Sequence, residues 1–143
     1  MRKAVFSYFC GNSYRKDNTK MYEAIIERIK ERLTGRELSA VIIPHISPDG
    51  DAAGSCSALW QVLDKVGIQA QLMTCDYIPD YLKWLKRIPD AISFQNRPKE
   101  CKQWLHKADI LFMLDHNTVA REGDLEPFVK EFEGEVIMID HHP

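Results

Sequence analysis

Three observations predict an α/β domain with a mostly parallel sheet and helices on both of its faces. Apolar runs of strand length alternate along the chain with amphipathic stretches of helix length, the order that builds parallel strands joined by crossover helices. The run Ala40-Val41-Ile42-Ile43-Pro44 is apolar throughout, as expected of a strand covered on both faces. The chain has 143 residues, 45% of them hydrophobic, with seven Gly and seven Pro. That is enough for one packed core without disulfides or a structural metal, and it excludes collagen-like and disordered classes.

Taken in order, Ala4 to Phe9 is short and aromatic and is broken by Gly11-Asn12-Ser13, so it reads as a strand or as an arm. Tyr22, Ile25, Ile26, Ile29 and Leu33 follow the spacing of one helix face, with Asp17, Asn18 and Thr19 as candidate caps and Gly35 as a candidate stop. Residues 1–37 therefore form an N-terminal arm and amphipathic helix ahead of a domain over 38–143. After the Ala40–Pro44 strand comes a polar loop, then a helix from Ala52 to Val66 closed by Gly67, then a strand from Ile68 to Thr74. Such a strand, helix, strand unit crosses over right-handedly. Tyr77 to Arg97, which contains Pro79 and Pro89, shows no sustained period. Glu100 to Lys107 predicts a short helix, Asp109 to Leu114 a strand, Leu125 to Phe132 a helix and Val136 to Ile139 a last strand. No internal repeat or low-complexity segment appears.

Charge narrows the partners. The formal net charge is −2 and the pI about 6.2, which excludes the broad basic face of a duplex-binding domain. Residues 1–48 carry nine Lys/Arg and five Asp/Glu, whereas residues 49–143 carry ten and sixteen. Cys10, Cys56, Cys75 and Cys101 show no C-x-x-C pair, so neither a zinc ribbon nor a thioredoxin-type site is indicated. No stretch approaches the roughly 20 apolar residues of a membrane helix, and no cleavage site follows the Met1-Arg2-Lys3 opening. The expectation is a soluble, cytoplasmic protein with reduced thiols and no membrane partner.

The chemistry gathers at strand ends. His45-Ile46-Ser47-Pro48-Asp49-Gly50-Asp51 follows the first long apolar run, Asp115-His116-Asn117 another, and Asp140-His141-His142 the last. In open parallel sheets ligands bind at the carboxyl ends of the strands, so all three clusters can meet at one edge. Imidazoles and carboxylates without thiolates suit Mn²⁺, Mg²⁺ or Fe²⁺. So many acids at one edge would repel one another without cations. Two ions about 3.5 to 4 Å apart, joined by a bridging carboxylate, can stabilise attacking and leaving oxygens at phosphorus.

Each piece also has a plain structural reading. Pro48-Asp49-Gly50 is ordinary turn chemistry and Asp51 a candidate helix N-cap. Gly54 and Ser55, placed in the first turn of the following helix, can offer amides to a phosphate or simply permit close packing. Arg121 is a candidate phosphate clamp or a solvated side chain. Trp60, Trp84 and Trp104 sit in amphipathic contexts that fit core or interface. The conjunction of acids and histidines at three separate strand ends is what favours a metal site.

Together these stretches resemble the DHH phosphoesterase family, in particular its nano-RNase/pAp phosphatase branch. The likeness rests on His45 to Ser55, on Leu114-Asp115 with Arg121 downstream, and on Asp140-His141-His142-Pro143, and it spans about residues 38 to 143. The resemblance implies a hydrolase of phosphodiesters or phosphomonoesters that uses two divalent cations, Mn²⁺ or alternatively Mg²⁺. His45, Asp49 and Asp115 would hold one ion, and Asp51, Asp115 and His141 the other, with Asp115 bridging. His142 would contact the scissile phosphate, Asp140 would orient the histidine behind it, and Gly54, Ser55 and Arg121 would contact substrate phosphate; His116 departs from the small or varied residue usual there and is either an extra polar contact to substrate or points away. The nucleophile would be hydroxide activated by the two ions. Short single-stranded oligoribonucleotides or 3′-phosphoadenosine 5′-phosphate are the implied substrates. The alternatives are a cyclic-dinucleotide phosphodiesterase of the same family and a non-catalytic metal- or nucleotide-binding fragment. Family members continue into a DHH-associated substrate domain and can form homodimers. The expectation is therefore an N-terminal portion, incomplete at its C-terminus, lacking that domain and impaired in catalysis when isolated.

Overall fold

The computed structural model describes residues 5–9, 19–34 and 37–142. The candidate caps Asp17 and Asn18, the candidate stop Gly35, the break at Gly11 to Ser13, and Ala4, Cys10 and Pro143 lie outside the described residues, as do the side chains of Tyr22 and Ile25. The elements are β1 (Val5–Phe9), α1 (Thr19–Leu33), β2 (Ser39–Pro44), α2 (Gly50–Lys65), β3 (Gln69–Thr74), β4 (Ile92–Ser93), α3 (Pro98–Lys107), β5 (Ile110–Leu114), α4 (Glu126–Glu131) and β6 (Glu135–Asp140). Short 3₁₀ turns occupy Asp80–Leu82, Ile88–Asp90 and Val119–Leu125.

The strands form one six-stranded sheet in the order β1-β6-β5-β2-β3-β4, and every pairing is parallel. The all-apolar run becomes β2, buried at each of its positions, because it lies between β5 and β3. Its side chains alternate between two cores. Ala40 and Ile42 pack with Ala53, Cys56, Trp60 and Leu63 of α2, whereas Val41 and Ile43 pack with Cys101 and Leu105 of α3 and Val129 of α4. Strand β5 divides likewise, Phe112 going to the α2 side and Leu111 and Met113 to the other. Period-two alternation with both faces apolar is what a doubly covered parallel sheet requires.

Val5–Phe9 resolves the choice between strand and arm: β1 pairs with β6 at the sheet edge, so the segment ahead of residue 38 contributes to the same sheet. Helix α1 rests Ile29 and Leu33 against the α2-side core. The unassigned Tyr77–Arg97 region yields the two-residue β4, too short to show a period. Helix α2 starts at Gly50 because the Asp49 side chain caps it, accepting from the amides of Asp51 and Ala52. It ends before Gly67, whose φ of +80° is a left-handed conformation that glycine adopts at no steric cost. Among the described residues no helix is long and apolar enough to cross a membrane.

The chain leaves β2 toward β3 and β4, and leaves β5 in the other direction toward β6. The adjacent C-terminal ends of β2 and β5 are therefore the switch point of the sheet, where open α/β sheets form a crevice. β6 ends beside them.

Candidate metal centre

Three strand ends deliver the candidate ligands. His45 follows β2, Asp115 follows β5, and Asp140 closes β6 with His141 and His142 behind it. Asp49 and Asp51 arrive on the first turn of α2. A 340 Å³ cavity at this edge is lined by Asp51, Ser55, Leu114, Asp115, Ile139, Asp140 and His141.

Asp115 stands at the middle. His45, Asp49 and Asp115 bring ligand atoms within 4.8 Å of one another, and so do Asp115, His141 and His142. One Asp115 oxygen, Oδ2, lies 3.6 Å from His45 Nε2, while Oδ1 lies 3.0 Å from His141 Nε2 and 3.6 Å from His142 Nδ1. His141 Nε2 is also 3.2 Å from Asp51 Oδ2. Asp115 itself has φ +64°, a left-handed conformation rare for a non-glycine residue and typical of functional sites.

The donor set fits divalent cations on observations of its own. His45 Nδ1 donates to the Ile46 carbonyl at 2.7 Å, so in the neutral ring Nε2 carries a lone pair, and it faces the Asp115 carboxylate. Asp115 Oδ1 is buried without a hydrogen-bond partner among the described residues. Lone pairs that face one another inside a protein require a cation or a proton between them. Imidazole and carboxylate donors with no thiolate suit Mn²⁺ or Mg²⁺.

The supporting carboxylates are held ionised. The Ala52 amide, with that of Asp51, holds the Asp49 carboxyl below the usual range. Burial, the largest single influence, works against ionisation of Asp140, but the hydrogen bonds from the His142 ring and from the His142 and His141 amides, with the charge of His142, together outweigh it and lower that carboxyl too. His142 Nδ1 donates to Asp140 Oδ1 at 2.6 Å, which fixes the tautomer and leaves Nε2 as the ring's other nitrogen. Asp140 is thus placed to orient the ring of His142, not that of His141 directly behind it.

The remaining sequence-derived candidates are placed differently. Because Asp49, not Asp51, is the N-cap, Gly54 and Ser55 fall two residues deeper in α2, past its first turn, where amides bond to carbonyls four residues back. Their N–H groups are therefore not offered to a phosphate. Ser55 still lines the cavity, its hydroxyl donating to the Ala52 carbonyl at 3.0 Å. Arg121 contributes its carbonyl, which accepts from the Ile46 amide at 2.8 Å, and its side chain is absent from the cavity lining. His116 does not face substrate at all. It is fully buried, donates from Nδ1 to the Leu114 carbonyl at 2.9 Å, and meets Glu122 Oε1 through Nε2. Burial disfavours its protonation, but Glu122 overcomes this and raises the imidazole pKa, while burial raises that of the Glu122 carboxyl. Both shifts keep a proton between the two side chains.

Two further residues, Asp76 and Glu122, support the site. Asp76, just past β3, accepts from the Ser47 amide at 3.0 Å and from its hydroxyl at 2.9 Å, securing the loop at a residue whose φ is +53°. Its signal was available, as a fourth acid behind an apolar strand. Glu122 gave no signal, since it lies in a polar stretch that reads as loop. Of the tryptophans, Trp60 is buried and Trp104 packs against the α3-side core, but Trp84 is 79% exposed.

Comparison with known proteins gives the family. Residues 39–143 match the DHH family, N-terminal domain. The chain belongs to the DHH family. Among solved structures it is similar to the crystal structure of an exopolyphosphatase-related protein from Bacteroides fragilis, at 31% identity and a TM-score of 0.80 over 84% of this chain. This DHH-family chain spans 35% of the length of that protein. No curated protein matches it.

Proposed function

We propose that this DHH-family chain carries the metal-binding half of a phosphoesterase that hydrolyses short oligoribonucleotides or 3′-phosphoadenosine 5′-phosphate. The observation that carries the reading is the position of Asp115, one carboxylate shared by two ligand groups at the switch point of a parallel sheet. His45, Asp49 and Asp115 would hold one divalent cation, and Asp51, Asp115 and His141 a second. Bound there, such cations supply Lewis acidity toward phosphoryl oxygens and acidify coordinated water. The chain's own residues do the rest. Asp49 both caps α2 and presents its carboxylate, and His45 is locked by Ile46 with Nε2 toward the centre. His142, oriented by Asp140, stands beside Asp115, where in its protonated form, with hydrogen on both ring nitrogens, it can donate from Nε2 to a phosphate oxygen as charge develops.

A nucleotide is favoured as substrate by the ground beside the centre. At the ends of β3 and β4 lies a second cavity of 350 Å³, bordered by Tyr77, Lys83, Ser93 and Asn96, a volume and mixed lining suited to a small organic group. Tyr77, Tyr81 and Trp84 are 51%, 69% and 79% exposed, the kind of aromatic surface on which bases stack. The exopolyphosphatase-related neighbour favours a second reading, polyphosphate hydrolysis. The test is direct: the protein, in the full length its reading frame encodes, is offered pAp, a ribodinucleotide, a cyclic dinucleotide and polyphosphate in the presence of Mn²⁺. Release of AMP and mononucleotides that EDTA abolishes is the expected result. Phosphate release from polyphosphate alone would replace the nucleotide reading, and full activity after EDTA dialysis would refute the metal reading.

A further inference from the structure

We infer that the buried His116–Glu122 pair is a positioning device that sets the separation of His45 and Asp115; the inference rests on reading these two as ligands of one cation. Asp115 leaves β5 in a left-handed conformation, and such a conformation persists only where its surroundings determine it. On one side its amide donates to the Ile139 carbonyl at 2.9 Å, tying it to β6. On the other, His116 Nδ1 reaches back across it to the Leu114 carbonyl at 2.9 Å. That ring is then held from behind by Glu122.

Glu122 is itself placed by the loop that carries His45. Arg121, its neighbour, accepts from the Ile46 amide at 2.8 Å, and Ile46 in turn accepts from His45 Nδ1 at 2.7 Å. Gly123 packs so tightly that an added Cβ would stand 2.9 Å from Ile46 Cδ1 and 2.7 Å from Cys75 Sγ. The bonds therefore form a continuous chain, from His45 through Ile46, Arg121, Glu122 and His116 to the two residues flanking Asp115. Across the gap between its ends the two candidate ligands face each other at 3.6 Å. Both members of the pair are fully buried and away from substrate, so they are positioning residues. A polar pair is costly to bury, and apolar replacements of similar volume are often neutral for stability. What directional bonds add, and apolar packing lacks, is a fixed ring orientation.

The experiment compares the protein with its double variant His116→Phe/Glu122→Leu and with Glu122→Gln, which keeps a hydrogen bond to Nε2. Three quantities are read: the metal-free melting temperature, the Mn²⁺ binding isotherm, and amide exchange at Asp115 in the metal-free protein. The double variant is expected to melt within a few degrees of the parent, to bind Mn²⁺ about 10- to 100-fold more weakly, and to exchange the Asp115 amide faster while the amides of β2 are unchanged. Glu122→Gln is expected to restore both affinity and protection. Should the double variant not fold, Glu122→Leu alone is expected to lower the melting temperature, because it leaves His116 buried and unpaired, and still to weaken Mn²⁺ binding and speed exchange of the Asp115 amide. Unchanged Asp115 exchange in a folded variant overturns the inference. If the parent binds no Mn²⁺ the metal reading fails, and the exchange measurement still decides whether the pair positions Asp115.

Discussion

His45 Nε2 lies 3.6 Å from Asp115 Oδ2 while the same ring spends its N–H on the Ile46 carbonyl. The nitrogen facing Asp115 in a neutral His45 is therefore a lone pair, turned toward a carboxylate. That juxtaposition suits the strand ends of this sheet to holding a cation.

Asp49 serves two purposes that can be separated. Asp49→Asn keeps a good N-cap and Asp49→Ala removes it, so in the metal-free protein the alanine variant should be less stable by about 1 kcal/mol and the asparagine variant nearly unchanged. Both should bind Mn²⁺ more weakly. Chemical denaturation beside calorimetry checks this. The cap is also linked to pH: its folded-state pKa is lowered, chiefly by the Ala52 amide. Its contribution should be complete above the ordinary aspartate range near about 3.9 and fade as pH falls through the lower folded value. That fading should be absent from the denaturation profile of Asp49→Asn.

Asp140 acts through His142. Asp140→Asn removes the charged partner of Nδ1, and activity should fall by about 10- to 100-fold. Steady-state rates beside Mn²⁺ titration check this: with His142 proposed as a contact to substrate, the loss should appear in kcat more than in metal affinity. Equal loss in both would make Asp140 a ligand instead.

Gly123 has φ +55° and no room for a Cβ. Gly123→Ala should destabilise the protein by on the order of 2 kcal/mol, combining backbone strain with overpacking. A lowered denaturation midpoint at unchanged slope checks it. Gly54, whose added Cβ would meet nothing within 4 Å, is the control and should tolerate alanine.

Trp84 tests substrate class. Trp84→Ala should raise KM for an oligoribonucleotide about tenfold, the equivalent of roughly 1.4 kcal/mol of stacking. Its kcat, and its rate on a base-free phosphoester, should be unchanged. With Trp60 buried, quenching of Trp84 fluorescence by oligonucleotide offers an independent reading.

What could be read from the sequence follows from what each feature needs. β2, β5 and β6 are uninterrupted apolar runs ending in Asp or His, so both the sheet and its functional edge were legible. β4, with only Ile92 and Ser93, carries too little sequence for a period and forms because β3 is there to pair with. The start of α2 was misplaced by a choice between two aspartates, Asp49 and Asp51, that only backbone geometry distinguishes. That choice moved Gly54 and Ser55 out of the first turn. His116 looked like a substrate contact because it adjoins Asp115. Its actual partner, Glu122, is six residues away in a 3₁₀ segment, and nothing in the sequence marks that pairing.

The most direct measurement is calorimetric titration of Mn²⁺ into the protein and its Asp115→Asn variant, whose side chain is nearly the same size. Two ions per chain are expected for the parent, and loss or at least about 100-fold weakening at both positions in the variant, since one carboxylate serves both groups. A variant that still binds two ions with the parent's affinity would contradict the account.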